Sequence, residues 1–131
     1  MQNIIFLSVD DVLALQDDTI RHEGGAPGLR DAALLDSAVA MPQAMFGGVY
    51  LHPTLAEMAA AYLFHLCQAH AFVDGNKRVA ILSCAVFLDV NGFELSVTAD
   101  ELFELVMKVA DSTTTKDELM KAMPGMIRPR S

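Results

Sequence analysis

An apolar run in the second half of the chain restricts the fold more than any other feature. Residues Val79 to Leu88 read VAILSCAVFL, with only Ser83 interrupting the apolar side chains. A helix over this run would be apolar nearly all round, so other elements must cover every side of it. The run is too short to cross a bilayer, which needs about 20 residues. It therefore predicts the central helix of a bundle.

Helix starts are marked by capping boxes, in which a hydroxyl residue is followed three positions later by an acid. Together with glycine and proline stops, they predict helices over 8–23, 29–40, 54–69 and 76–90, and further helices starting at 98 and 115. The boxes are Ser8 with Asp11, Thr54 with Glu57, Thr98 with Glu101, and Thr115 with Glu118.

Strand signals are few, so the predicted class is all-α, a compact single-domain helical bundle over residues 1–131. Residues 93–97 are predicted as a brief strand or an extended link. Residues 46–51, which are apolar and flanked by glycines, are predicted as a short flap or an ordinary surface loop. Residues 127–131 are predicted to be a frayed tail.

The charge of the chain limits its partners. The net charge is −8, which argues against direct nucleic-acid binding because such proteins usually carry a basic face. No basic segment followed by an apolar segment begins the chain, so no signal peptide is expected, and the chain is expected to be cytoplasmic and not in a membrane. Cys67 and Cys84 lie in apolar helical runs and are expected to be buried thiols.

Chemistry is concentrated in residues 70–78, which read HAFVDGNKR and are called the 70–78 segment below. The first N–H groups of a helix starting near Asn76 have no intrahelical partners, and the helix dipole makes that point positive. Gly75 allows a tight turn before it. Lys77 and Arg78 add full charges at the rim, and Arg78 can bind a phosphate with two hydrogen bonds. The segment therefore predicts a phosphate site.

The remaining residues of the segment have structural and chemical interpretations. Asp74 could cap the helix, or hold Mg²⁺ beside a phosphate. His70 could be a structural residue at a helix end, or the general base for a hydroxyl nucleophile. Asn76 could cap the helix or donate to a phosphate oxygen, and Phe72 is expected to anchor the segment in the core.

Other kinds of site have little support. The chain has no His-Glu-x-x-His or Cys-x-x-Cys spacing, so a zinc site is not expected. It has neither Gly-x-x-x-x-Gly-Lys-Ser/Thr nor Gly-x-Gly-x-x-Gly, the loops of the common nucleotide-binding folds.

The 70–78 segment resembles the signature loop of the Fic/Doc superfamily, in its Doc form. The resemblance extends to residues 11–15 and 24–31, which read DVLAL and GGAPGLRD, and to Phe87-Leu88 with Asn91-Gly92. It implies a helical toxin of a type II toxin–antitoxin pair. By resemblance, His70 is the base, Asp74 is the Mg²⁺ ligand, and Gly75, Asn76, Lys77 and Arg78 hold the phosphates of ATP.

Lys77 bears on the reaction that the resemblance implies. Fic proteins, which have glycine at this place, transfer AMP from ATP to a protein hydroxyl. Doc proteins have lysine there; they bind ATP in a reversed orientation and phosphorylate elongation factor Tu, which stops translation. A lysine fills space against the backbone and adds charge, so it could change which phosphate occupies the site and which bond breaks.

Two positions depart from the family pattern. Ile81 stands where Fic loops often carry a second arginine, which weakens the AMP-transfer interpretation. Gln16 stands where Doc proteins often have a histidine. Three hypotheses remain at this point: a Doc-type protein kinase, a Fic-type AMP transferase, and a catalytically silent binding module. An antitoxin of the Phd type is an implied partner, which would fold as a helix in a groove near the site.

Overall fold

The computed structural model describes residues 3–131, in which six α-helices pack against one another. The helices are α1 (Val9–Glu23), α2 (Ala32–Ala40), α3 (Leu55–Ala69), α4 (Asn76–Val90), α5 (Ala99–Ala110) and α6 (Lys116–Ala122). Short 3-10 turns follow α2 and α6, at Met41–Gln43 and Met123–Met126. Two antiparallel ribbons complete the fold, β1 (Met45–Phe46) with β2 (Val49–Tyr50) and β3 (Phe93–Leu95) with β4 (Ile127–Pro129). The predicted all-α class is confirmed.

Two helices share the centre of the bundle. One face of the apolar run of α4 lies in the core, where Cys84, Phe87 and Leu88 are fully buried, whereas Ile81 and Val86 on the other side are only partly buried, so the run is not covered on every side as predicted. α3 is buried over more of its length and packs against α2, α4, α5 and α6. Its consecutive alanines, Ala59–Ala61, are fully buried and let the neighbouring helices approach closely. The α3–α4 pair therefore forms a rigid platform whose connecting turn is the 70–78 segment.

The predicted helix starts agree closely with the structure. Ser8, Thr98 and Thr115 each make the complete reciprocal capping box with the acid three residues on. Thr54 caps α3 by accepting from the Glu57 N–H, but its hydroxyl donates to the Glu57 carboxylate over 2.9 Å, so this pair is not reciprocal.

The second helix begins later than predicted, at Ala32 in place of residue 29. Asp31 is its cap and accepts from the Leu34 N–H at 3.0 Å. Leu29 forms an isolated antiparallel β-bridge with Phe72. The residues expected to open the helix are thus used in a long-range contact with the 70–78 segment.

The prediction of a frayed tail over 127–131 is wrong. β4 pairs with β3 in the register Leu95 to Ile127. The Arg128 guanidinium lies 2.7 Å from the Glu94 carboxylate, and that of Arg130 lies 3.0 Å from Asp89. The composition of the tail carries no sign of these partners, which lie more than thirty positions earlier.

Residues 45–50 form a hairpin, which includes most of the predicted flap and is called the hairpin below. Its apolar side chains face solvent, with Phe46 81% and Val49 64% exposed. Among the described residues, no helix is both long and apolar enough to cross a bilayer.

Candidate active site

The N-terminus of α4 is built differently from the other helix starts. Each other α-helix within residues 3–131 has a side-chain cap, whereas α4 begins at Gly75 with none. Gly75 has φ 81°, a left-handed conformation that favours glycine. The first intrahelical bond runs from the Val79 N–H to the Gly75 carbonyl. The N–H groups of residues 76–78 precede that bond and are available to an anion.

A cleft of about 300 Å³ opens at this helix end. His70 reaches it from the C-terminal end of α3, where it caps the helix with φ 49°. Phe103 reaches it from α5. The structure thus brings together every site residue predicted from the sequence. The lining residues are His70, Val73, Asp74, Gly75, Asn76, Lys77, Arg78 and Phe103.

The carboxylate of Asp74 bonds to the loop that follows α1 and to its own turn. One oxygen accepts from the Ala26 N–H at 3.2 Å, and the other accepts from the Gly75 N–H at 3.1 Å. Asp74 is therefore not the cap of α4, which was one of its predicted roles. Gly25 packs so closely that an added Cβ would lie 2.8 Å from the Asp74 carboxylate. The loop before residue 30 thus fixes the direction of the Asp74 side chain.

Asn76 holds the turn closed from within. Its side-chain oxygen accepts from the Phe72 N–H at 3.0 Å, and its side-chain nitrogen donates to the Phe72 carbonyl at 2.9 Å. Phe72 is 3% exposed, which confirms its predicted role as an anchor in the core. Asn76 does not cap α4, so its side chain shapes the turn while its backbone N–H faces the cleft end of the helix.

Further bonds join the 70–78 segment to the first part of the chain. The Arg30 side chain donates to the His70 carbonyl at 2.7 Å. Gln16, a buried residue of α1, donates to the Asp74 carbonyl over 3.4 Å. These contacts fix the backbone on both sides of Phe72 and so fix where His70 and Asp74 stand relative to each other.

One of the two cations at the cleft is paired with an acid. The Arg78 guanidinium lies 2.9 Å from the Glu23 carboxylate at the end of α1, and both side chains are about half exposed. Lys77 is half buried and lines the same cleft. Burial raises the pKa of the neighbouring Cys67 thiol, and the charge of Lys77 opposes that rise. The two cations of the cleft therefore differ in their surroundings, since Arg78 is in an ion pair with Glu23 and Lys77 is half buried.

The donor set fits a magnesium ion that is bound together with phosphates. Within residues 3–131, no three His, Cys, Asp or Glu side chains are grouped to hold a metal by themselves. Mg²⁺ usually takes one or two carboxylates and completes its shell with phosphate oxygens and water. Asp74 is exposed at the cleft, and each of its oxygens accepts one N–H and keeps a further lone pair. The site thus provides one suitable ligand, beside the helix N-terminus.

Three residues that shape the site were missed by the sequence analysis. Gly25 is predicted only as part of a helix stop and of the 24–31 resemblance, and Glu23 and Phe103 have no predicted role. The repeated glycines at 24 and 25 were a usable signal of close backbone approach. Nothing local marks Glu23 or Phe103, because their position at the cleft follows from how α1 and α5 pack.

Comparison with known proteins places the chain in a family. A family model described as the Fic/DOC family matches residues 6–88, which include the whole 70–78 segment. The chain is 40% identical over 104 residues to a protein named Toxin Doc from Mycolicibacterium smegmatis, across 78% of this chain and 80% of that protein. It is 33% identical over 105 residues to Protein kinase doc of Escherichia phage P1, across 79% and 81% of the two chains. The chain belongs to the Fic/Doc family and is a relative of its Doc toxins.

Proposed function

We propose that this chain is a Doc-type toxin that acts as a protein kinase, transferring a phosphate from ATP to a hydroxyl group of a translation factor similar to elongation factor Tu. The uncapped N-terminus of α4, with Lys77 and Arg78 beside it, supports the binding of a polyphosphate. The name of the phage P1 relative, Protein kinase doc, supports the choice of reaction.

Each cleft residue that the sequence predicted as part of the site has a role in this proposal. The N–H groups of residues 76–78 and the Lys77 and Arg78 side chains stabilise charge on the transferring phosphoryl group. Asp74 would hold Mg²⁺, which would supply positive charge to the phosphates. His70 takes the proton from the target hydroxyl as the new P–O bond forms and the bond to the leaving nucleotide breaks. Gly75 leaves the helix end open to the phosphates.

AMP transfer from the same site is the alternative reaction. The family description covers both Fic and Doc proteins, and the two reactions need the same base and the same phosphate site. Lys77 favours the kinase, because a lysine side chain at the helix N-terminus takes up space that a glycine leaves to a phosphate. A catalytically silent binding module is the third possibility, and the position of both His70 and Asp74 at the cleft counts against it.

The proposal also includes a target protein and an antitoxin as partners. The hairpin, with its exposed apolar side chains, is the surface that contacts the target protein. An antitoxin of the Phd type neutralises the chain in the cytoplasm by laying a helical segment near the cleft. The M. smegmatis relative is named Toxin Doc, which supports the toxin role.

ATP labelled at either the α- or the γ-phosphate separates the possible reactions. The purified chain is incubated with Mg²⁺, each label in turn, and a cell extract depleted of small nucleotides. Label that reaches a protein from the γ-position only supports the kinase, and label from the α-position supports AMP transfer. A folded sample that transfers neither label would reject both enzymes.

The His70→Ala variant is the control for this experiment. His70 is exposed at the end of α3 and its side chain is not part of the core, so the variant should fold like the wild type. Loss of the signal in this variant is the expected result. A variant that retains full labelling would show that His70 is not the base.

A further inference from the structure

Phe103 is exposed at the rim of a cationic cleft. It comes from α5, whereas all the other lining residues belong to the 70–78 segment. It is 43% exposed, while most phenylalanines of the described residues are buried or partly buried. An aromatic ring left open beside a phosphate site offers a flat apolar face to the part of a ligand that is not phosphate.

We propose that Phe103 stacks on the nucleobase of the bound nucleotide, and that it thereby distinguishes ATP from a bare polyphosphate. This inference rests on the proposed function, because it takes ATP as the ligand. The cleft of about 300 Å³ is at the small end of ligand pockets. The helix N-terminus accounts for the phosphates, so the base extends towards the rim. Phe103 is the aromatic side chain that the described residues place there.

The helix that carries Phe103 also provides a matched control. Met107 lies one turn further along α5, is 44% exposed, and does not line the cleft. The two side chains therefore share a helix and a degree of exposure and differ in their access to the ligand. The partly exposed position of both makes it possible to change them without opening a cavity in the core.

Binding of MgATP and of magnesium tripolyphosphate is measured by calorimetry for the wild type, F103A and M107A. F103A should weaken MgATP binding about tenfold, in the range of a single base–aromatic stack, and leave tripolyphosphate binding unchanged. M107A should change neither. Equal weakening of both ligands in F103A would overturn the inference, because Phe103 would then act on the phosphate site. Unchanged ATP binding would overturn it as well.

The sequence contains no tryptophan, which allows a direct optical test. F103W and M107W each introduce a single fluorophore into α5. MgATP should quench the fluorescence of F103W, with affinity close to that of the wild type, and tripolyphosphate should not. M107W should respond equally to both ligands. The absence of ATP quenching in F103W would reject stacking, even if F103A proved unstable.

The same measurements separate this inference from the proposed function. A wild type that binds neither ligand would reject both. A wild type that binds both ligands, with F103A indistinguishable from it, would reject only the role of Phe103.

Discussion

The Arg78 guanidinium lies 2.9 Å from the Glu23 carboxylate, so a cation of the candidate active site is already paired with an acid from α1. Both side chains are about half exposed, and such pairs contribute roughly 0.2–1 kcal/mol. A phosphate must therefore compete with Glu23 for the same guanidinium.

Replacing Glu23 should strengthen anion binding. We expect Glu23→Gln to tighten tripolyphosphate binding about two- to fivefold, since Arg78 becomes available and a negative charge leaves the rim. Calorimetry at low salt measures the change. Asp17→Gln is the matched control, because Asp17 pairs with Arg21 on the same helix and the change in net charge is identical. Equal gains in the two variants would show that only the net charge matters.

Gly25 should be less tolerant of a side chain than its neighbour Gly24. Gly24 has φ 80° with ψ −176° and Gly25 has φ 110°, backbone conformations that other residues rarely adopt, so alanine costs about 1–3 kcal/mol at each position. At Gly25 the new Cβ would also lie 2.8 Å from the Asp74 carboxylate, whereas nothing lies within 4 Å at Gly24. We expect Gly25→Ala to be at least about 1 kcal/mol less stable than Gly24→Ala and to lose phosphoryl transfer. Urea unfolding and the labelling assay provide the two readouts. Similar behaviour of both variants would contradict the inference that Gly25 fixes the direction of the Asp74 side chain.

Two asparagines that each bond to both backbone groups of one other residue separate stability from activity, although Asn91 also donates to the Phe87 carbonyl. The Asn76 side chain bonds to both the N–H and the carbonyl of Phe72. The Asn91 side chain accepts from the Ile5 N–H at 2.9 Å and donates to the Ile5 carbonyl at 2.8 Å. Each alanine variant should lose about 1–3 kcal/mol of unfolding free energy. Only Asn76→Ala should also lose labelling activity, because only the two bonds of Asn76 hold the turn that lines the cleft. Full activity in folded Asn76→Ala would show that the bonds between Asn76 and Phe72 are not needed for the reaction.

Stability should decrease in acid because of a histidine outside the cleft. Burial lowers the pKa of His65 from 6.5 to about 4, and the charges of Lys116 and His52 act in the same direction. His65 binds a proton more tightly in the unfolded state than in the folded state. The stability that neutral His65 contributes is therefore complete above the unfolded pKa and is lost as the pH falls towards 4. We expect a loss on the order of 1 kcal/mol between about pH 7.5 and pH 5, since the ring is partly exposed.

Urea unfolding at the two pH values tests the role of His65. His65→Gln should reduce the pH dependence, while His22→Gln, which changes an exposed histidine of α1, should not. An undiminished pH dependence in His65→Gln would assign the effect to other groups, of which His52 is the first candidate because burial lowers its pKa too.

The hairpin should matter for the target protein and not for the nucleotide. Phe46 is 81% exposed, so Phe46→Ser removes an apolar contact at little cost to the fold. We expect labelling of the target to fall several-fold while MgATP binding stays as in the wild type. Unchanged labelling of the target would reject the hairpin as its contact surface.

The sequence predicted the structure correctly where that structure depends on residues close together in the chain. The caps at Ser8, Thr98 and Thr115 and the stop after α4 could be located because each depends on residues within one turn. The 70–78 segment was recognisable for the same reason, since its chemical groups are consecutive.

Predictions were poorer where distant residues decide the structure. Leu29 looked helical but pairs with Phe72, and the tail pairs with β3. Asp74 and Asn76 were expected to act on the helix end or on the ligand, whereas their side chains also hold the turn in shape. The pairing of Arg78 with Glu23 depends on the packing of α1 against α4, which no local pattern encodes.

The bond from the Ala26 N–H to Asp74 spans 48 positions of the chain. A segment containing only α3 and α4 would include His70, Asp74 and the cations, yet it would lack the loop that orients Asp74. During synthesis, the loop leaves the ribosome first and has to wait for α3 and α4 before it can dock. The orientation of Asp74 thus depends on the packing of two parts of the chain that are synthesised at different times.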